Sequence, residues 1–120
     1  MEHITGGSFH DKLKLKMHLY VKEVYRITKG FPHEELYGAT SQLKRAAMSV
    51  ILNYIEGYAR RRGDNCKVYQ NFLETSYGSL KESKYLIYFS FSENYINKLE
   101  YEKLSAMVEE IGRMVWSTMN

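Results

Sequence analysis

The sequence predicts an all-α protein, an antiparallel four-helix bundle with up-down-up-down topology. Apolar residues recur every three or four positions in four long segments, which is the period of an amphipathic helix. The only proline, Pro32, falls between two of these segments, and no stretch alternates apolar and polar residues over the length of a strand. Short joints between helices favour antiparallel neighbours. A chain of 120 residues is long enough for a single domain over 1–120, and we expect residues 1–8 to be a flexible tail.

The first two predicted helices occupy the first half of the chain. The first runs from Phe9 to Lys29 and is closed by Gly30. Its apolar face consists of Leu13, Met17, Tyr20, Val24 and Ile27. The second spans about Glu34 to Arg62 and is stopped by Gly63. Its apolar face consists of Leu36, Ala39, Leu43, Ala47, Val50 and Tyr54.

The other two predicted helices occupy the second half. The third spans about Cys66 to Phe91, and Asp64 or Asn65 would cap its N-terminus. Tyr69, Leu73, Ser76, Leu80 and Ile87 lie on its inner side. The fourth spans about Lys98 to Met119, after a joint over 92–97. Its inner side consists of Leu99, Leu104, Met107, Val108, Ile111, Val115 and Trp116.

A stripe of polar side chains runs along the second helix at steps of three or four residues. It consists of Gln42, Arg45, Ser49, Asn53, Glu56 and Arg60. Small residues such as Ser49 and Asn53 are typical of close helix contacts, and buried polar groups need hydrogen-bond partners. We therefore expect the stripe to face inward as a structural network. Its members would be Gln42, Arg45, Ser49, Asn53 and Glu56, together with Glu82 of the third helix.

Two glycines are placed to bring the second and third helices together. If these helices are antiparallel, Gly57 and Gly78 lie at comparable heights, and each would allow the backbones to approach closely.

The sequence offers little for catalysis or for binding a metal ion or another cofactor. The four histidines are scattered over the first 33 residues, with no spacing that puts two metal ligands on one helix face. Neither inner helix contains a histidine to complete a carboxylate-bridged metal site with Glu56, Glu74 or Glu82. Cys66 has no histidine near it in sequence to activate it as a nucleophile. We expect a protein without metal or cofactor that is not an enzyme.

The apolar and cysteine content favours a cytoplasmic location. The single cysteine, Cys66, cannot form an internal disulfide, and no secretory signal is evident. Charged residues interrupt every window of about 20 residues, the length needed to span a membrane. We expect no membrane role.

Positive charge is concentrated in the first half of the chain. The net charge is +3, but residues 1–63 carry 11 Lys or Arg against 6 Asp or Glu, whereas 64–120 carry 6 against 8. The candidates for binding phosphate groups of nucleic acid are Arg60, Arg61, Arg62, Lys67 and Lys44. Tyr58 and Tyr69 would add stacking on unpaired bases. The alternative is that the arginines only stabilise the C-terminus of the second helix.

Several motifs resemble one known family. They extend from Phe31-Pro32 through Tyr37-Gly38, Arg45-Ala46-Ala47 and Glu56-Gly57 to Gly78-Ser79. With Glu35, Gln42, Ser49, Asn53, Arg60, Phe72-Leu73 and Glu82, they cover about half of the chain. This pattern is similar to that of the four-helix-bundle proteins encoded within intervening sequences of bacterial 23S ribosomal RNA genes. Two positions depart from it, since Ile55 and Lys84 stand where the family usually has alanine and an acidic residue.

The resemblance implies a bundle of four long helices that assembles as a barrel-like homopentamer, and it implies no enzymatic activity. The same superfamily contains the accessory proteins of diversity-generating retroelements, which resemble basic pentamers that bind nucleic acid and a reverse transcriptase. Our first hypothesis is a self-associating bundle that binds RNA or DNA through its basic surface. The second is a protein-interaction scaffold, or an adaptor for a nucleic-acid enzyme, which does not itself bind nucleic acid.

Overall fold

The structure, a computed structural model, describes residues 8–61 and 66–119. Within these ranges it has four long helices and a short 3-10 helix, and no strand. The helices are α1 (Phe9–Thr28), α2 (Ala39–Ala59), α3 (Lys67–Ser92) and α4 (Lys98–Met119), and the 3-10 helix is His33–Glu35. The predicted all-α class is confirmed.

The four helices form an antiparallel bundle in which each helix packs against its neighbours in chain order, and α4 closes the ring against α1. The direction of the helices follows from which residues meet. Going along α2, Ser49 meets Ser79 and then Gly57 meets Phe72, so the partners on α3 run backwards. On α1 and α4, Lys16 pairs with Glu110 and Glu23 with Lys103, which again run in opposite directions. The predicted up-down-up-down topology is confirmed.

The core lies between the four helices and largely matches the predicted apolar faces. The predicted inner residues of α1 are all buried, as are those of α3. Three predicted core residues are wrong: Leu36 is exposed, Leu99 is 76% exposed and Trp116 is 53% exposed. Leu36 precedes α2, and Leu99 lies in the first turn of α4.

One polar pair sits inside this apolar core. The hydroxyl groups of Tyr20 on α1 and Ser83 on α3 are buried, and neither has a hydrogen-bond partner among the described residues. Burial raises the pKa of Tyr20, and the nearby Ser83 hydroxyl partly offsets that effect. The two hydroxyls therefore lie near each other in the core.

The start of α2 is set by Glu35. Its carboxylate accepts hydrogen bonds from the backbone N–H of Ala39, at 2.9 Å, and from the hydroxyl of Tyr95, at 2.7 Å. Gly38 makes this possible, because a Cβ atom there would lie 2.5 Å from the Glu35 carboxylate oxygen. The predicted start at Glu34 is therefore wrong. The 3-10 turn and Gly38 come first, and the Glu35 side chain then caps the helix.

We predict that Glu35 makes the fold sensitive to acid. The Ala39 N–H, and secondarily the Tyr95 hydroxyl, lower the pKa of Glu35 below its usual value of 4.5. A carboxyl with a lowered pKa in the folded state contributes stability that is fully present above pH 4.5 and is lost as the pH falls through the lowered pKa. Chemical denaturation of wild type and Glu35→Gln should give a gap in unfolding free energy at pH 7 that closes towards pH 3. A gap that stays constant with pH would contradict this.

Three other helix ends carry caps, each of a different kind. Ser8, which we expected in the flexible tail, instead caps α1 by accepting the Asp11 N–H on its hydroxyl at 3.0 Å. Asn97 and Glu100 form a reciprocal capping box at the start of α4. Asn94 has a left-handed backbone (φ 64°) after α3, which lets the next N–H bond back to Ser90. The remainder of the predicted tail, and the proposed α3 caps Asp64 and Asn65, lie outside the described residues.

The two glycines that we expected between α2 and α3 behave differently. At Gly57 a Cβ atom would come within 2.6 Å of the Phe72 Cβ and 3.2 Å of the Tyr69 ring. At Gly78 it would meet nothing within 4 Å. Gly57 therefore lies at a close approach of the two helices, and the prediction for Gly78 is wrong because Gly78 is exposed on the outside of α3.

This difference gives a matched pair of variants. Gly57→Ala should destabilise the fold by about 1–3 kcal/mol, because the helices must separate to admit the methyl group. Gly78→Ala should be neutral or should stabilise it by up to about 1 kcal/mol, because alanine is the better helix former where there is space. Thermal and urea unfolding of both variants measures this, and equal effects at the two sites would refute the assigned packing.

Candidate nucleic-acid interface

The predicted cations divide between two regions of the bundle. Arg60, Arg61 and Lys67 lie at the end where α2 finishes and α3 begins, and all three are exposed. Lys44 lies 16 residues before Arg60, about 24 Å along the helix axis. Its ammonium group sits 4.6 Å from the centre of the Tyr25 ring. Arg62 lies outside the described residues. The structure therefore brings together three of the five predicted residues.

Arg60 and Arg61 are held in different ways. The Nε of Arg60 donates to the Glu56 carboxylate at 2.6 Å, so much of its charge is already matched by an acid. The Arg61 guanidinium lies 3.8 Å from the centre of the Tyr58 ring, and no ion pair involves it within the described residues. A cation on an aromatic face keeps its charge available to an anion. Arg61 is the better placed of the two to bind phosphate.

Tyr58 and Tyr69 are not available for stacking on bases. The His10 ring lies parallel to Tyr58, with centroids 3.5 Å apart and planes 12° apart. Because Arg61 is also directly over Tyr58, the two groups must occupy opposite faces of the ring. Tyr69 is only 8% exposed, and burial raises its pKa. The proposed stacking role of these two tyrosines is therefore wrong, since neighbouring side chains cover both rings.

The polar stripe of α2 separates into three local groups. Arg45 donates to the Gln42 side chain at 2.9 Å and to the Glu82 carboxylate of α3. Ser49 shares a hydrogen bond of 2.7 Å with Ser79 of α3. Asn53 belongs to the same group, since it donates to the Ser49 hydroxyl and to the Ser49 backbone carbonyl, both at 2.9 Å. Glu56 pairs with Arg60.

The stripe does not face the inside of the bundle as we expected. Gln42, Arg45, Glu56 and Glu82 are exposed, and only Ser49 and Asn53 are half-buried. The physical reason is that the stripe lies on the flank of α2 beside α3, where long side chains follow the groove out to water. The short ones remain between the helices.

Two surface features were not anticipated from the sequence. Leu52 (56% exposed) and Ile55 (44% exposed) lie on the outer face of α2, beside an open groove of about 620 Å³ that includes Tyr37. A second groove, between α3 and α4, exposes Trp116 beside Lys81. Helical periodicity assigned Trp116 to the core, so the sequence carried no signal for the second groove.

The described part of the chain was also compared with the requirements of a metal site and of a membrane-spanning helix. Over 8–61 and 66–119, no three His, Cys, Asp or Glu side chains come together as a group that could hold a metal ion. None of the four long helices is apolar enough over a sufficient length to cross a membrane.

Fold and charge together define a small antiparallel four-helix-bundle protein with exposed cations at the α2–α3 end. The model of the family described as 23S rRNA-intervening sequence protein matches residues 12–117, so the chain belongs to this family. The resemblance in the sequence motifs is thereby confirmed.

Solved structures agree on the fold. A protein of unknown function from the S23 ribosomal protein family of Bacteroides thetaiotaomicron has a TM-score of 0.80 to this chain at 18% identity. The match covers 90% of this chain and 98% of that one. No curated protein sequence matches the chain.

Proposed function

We propose that this member of the family is a non-enzymatic, self-associating bundle that binds RNA or DNA through its basic α2–α3 end. The observation that carries the proposal is the grouping of Arg60, Arg61 and Lys67 at one exposed end, where Arg61 rests on an aromatic ring. Such a surface favours phosphate groups with little regard to base sequence. The overall charge of +3 supports the same partner.

Salt dependence should identify this surface. Fluorescence anisotropy with a labelled single-stranded RNA should show binding that weakens steeply with added salt, because each phosphate contact releases counterions. The variant Arg61→Ala/Lys67→Ala should bind at least about tenfold more weakly. The slope of log affinity against log salt should fall by about 1.4, or about 0.7 for each lost contact.

A control with the same net charge is available on α4. Lys98→Ala/Lys103→Ala removes two exposed cations far from the α2–α3 end and should bind like wild type. Undetectable binding at low salt would refute the proposal. So would equal losses in the two double variants, because that would reflect net charge alone.

Self-association is supported by the outer face of α2. Leu52 and Ile55 are large apolar side chains exposed on neighbouring turns, and the adjoining groove presents Tyr37, which is 90% exposed. An exposed apolar patch of this kind marks a contact surface in many proteins. Ile55 is also a position where the family usually has alanine. The family resemblance implies that the assembly is a pentamer.

Light scattering should detect the assembly and its disruption. Wild type should have a mass that is a multiple of the 14.2 kDa chain, five-fold for the pentamer, with and without nuclease treatment. Leu52→Glu should shift the mass towards a monomer, because association would bury an unpaired carboxylate. Leu99→Glu, at an exposed position on α4, should leave the mass unchanged. A monomeric wild type, or equal effects of the two variants, would refute the assigned surface.

The same α2 face supports a second candidate function, a scaffold or adaptor for another protein. Pull-down after nuclease treatment separates the two candidates. Partners that are lost with nucleic acid favour direct nucleic-acid binding, whereas partners that remain favour the scaffold.

A further inference from the structure

A groove between α3 and α4 combines an aromatic wall with a cationic rim. It has a volume of about 340 Å³, within the range of small-ligand sites. Tyr77 and Trp116 form one side, and Lys81 and Arg113 lie beside them. It lies away from the cations of the α2–α3 end, since Tyr77 follows Lys67 by ten residues, or about 15 Å along α3.

The aromatic wall is open to solvent. Trp116 is 53% exposed, and its ring lies 5.5 Å from that of Tyr77 at an angle of 47°. Gly112 forms part of the lining, and a Cβ atom there would already touch the Tyr77 ring at 4.0 Å. Any longer side chain at this position would occupy the groove, so glycine leaves space beside the rings.

The charge within the groove is positive. It contains three cations and one carboxylate, and Lys84 pairs with that carboxylate, Glu109, at 2.8 Å. Lys84 lowers the pKa of Glu109, and Lys81 and Arg113 make smaller contributions in the same direction. All three cations therefore lie close to this carboxylate. Lys81 sits 5.1 Å from the centre of the Tyr77 ring. Neither Lys81 nor Arg113 is in an ion pair with a described residue.

We propose that this groove binds one nucleotide of a single-stranded nucleic acid, with the base against Trp116 and the phosphate between Lys81 and Arg113. The inference rests on the proposed nucleic-acid binding and adds a second site to it. A nucleotide joins a flat π-face to an anion, and the groove offers a partner for each. An acidic peptide would supply the anion without the ring. The cations alone would then bind it, and the exposed indole would have no role.

Trp116 is the only tryptophan in the chain, so its fluorescence reports on this groove alone. Titration with a ten-nucleotide oligoadenylate RNA should quench the fluorescence saturably and in a salt-dependent manner. An abasic oligomer of the same length should bind with little quenching, because it lacks the stacking ring. Lys81→Ala/Arg113→Ala should raise the RNA concentration for half-quenching at least about tenfold, whereas Lys98→Ala/Lys103→Ala should leave it unchanged.

Four results would overturn the assignment. Binding seen by anisotropy without quenching would rule out the groove as a binding site and leave the proposed function intact. If neither method detects binding, both the groove assignment and the proposed function are refuted. Equal quenching by polyglutamate would show that negative charge alone is sufficient for binding in the groove, without a base. Quenching that follows protein concentration without RNA would show that a second copy of the chain occupies it.

Discussion

The close contact between α2 and α3 is the constraint on which the rest of the structure depends. Gly57 lets α2 approach the Phe72 side chain closely, and the Ser76 hydroxyl donates across the same interface to the Val50 carbonyl at 2.7 Å. That bond requires the helices to be near each other, because a serine side chain is short. The next turn of α2 then places Arg60 and Arg61 beside the start of α3. The cationic end is a consequence of this packing.

The sequence predicted the fold well because helical periodicity is a local property. The buried faces of α1 and α3 could be read from spacing alone, since each residue's side of a helix is fixed by its number. The start of α2 could not be read in this way. It depends on Glu35 reaching the Ala39 N–H and the Tyr95 hydroxyl, and Tyr95 is 60 residues away in sequence. A tertiary contact of this kind leaves no periodic signal.

The candidate site was only partly predictable for the same reason. The cluster of Arg60 and Arg61 could be read from sequence, but their different contacts could not. Arg60 forms an ion pair with Glu56, whereas Arg61 lies over the Tyr58 ring. Tyr58 was expected to stack on bases, yet His10 from α1 covers its other face. Trp116 fits the period of the α4 core and is nonetheless exposed. Spacing assigns a side of a helix, but it does not say whether another helix covers that side.

The three surfaces to which we assign proposed functions lie on different parts of the bundle. Leu52 and Ile55 point outward from α2, the cations lie at the α2–α3 end, and Trp116 lies between α3 and α4. A cyclic assembly repeats each surface at a fixed spacing. In the proposed assembly, contacts that are weak in one chain would act together on a single nucleic-acid strand at high effective concentration, which would offset the modest charge of +3 per chain.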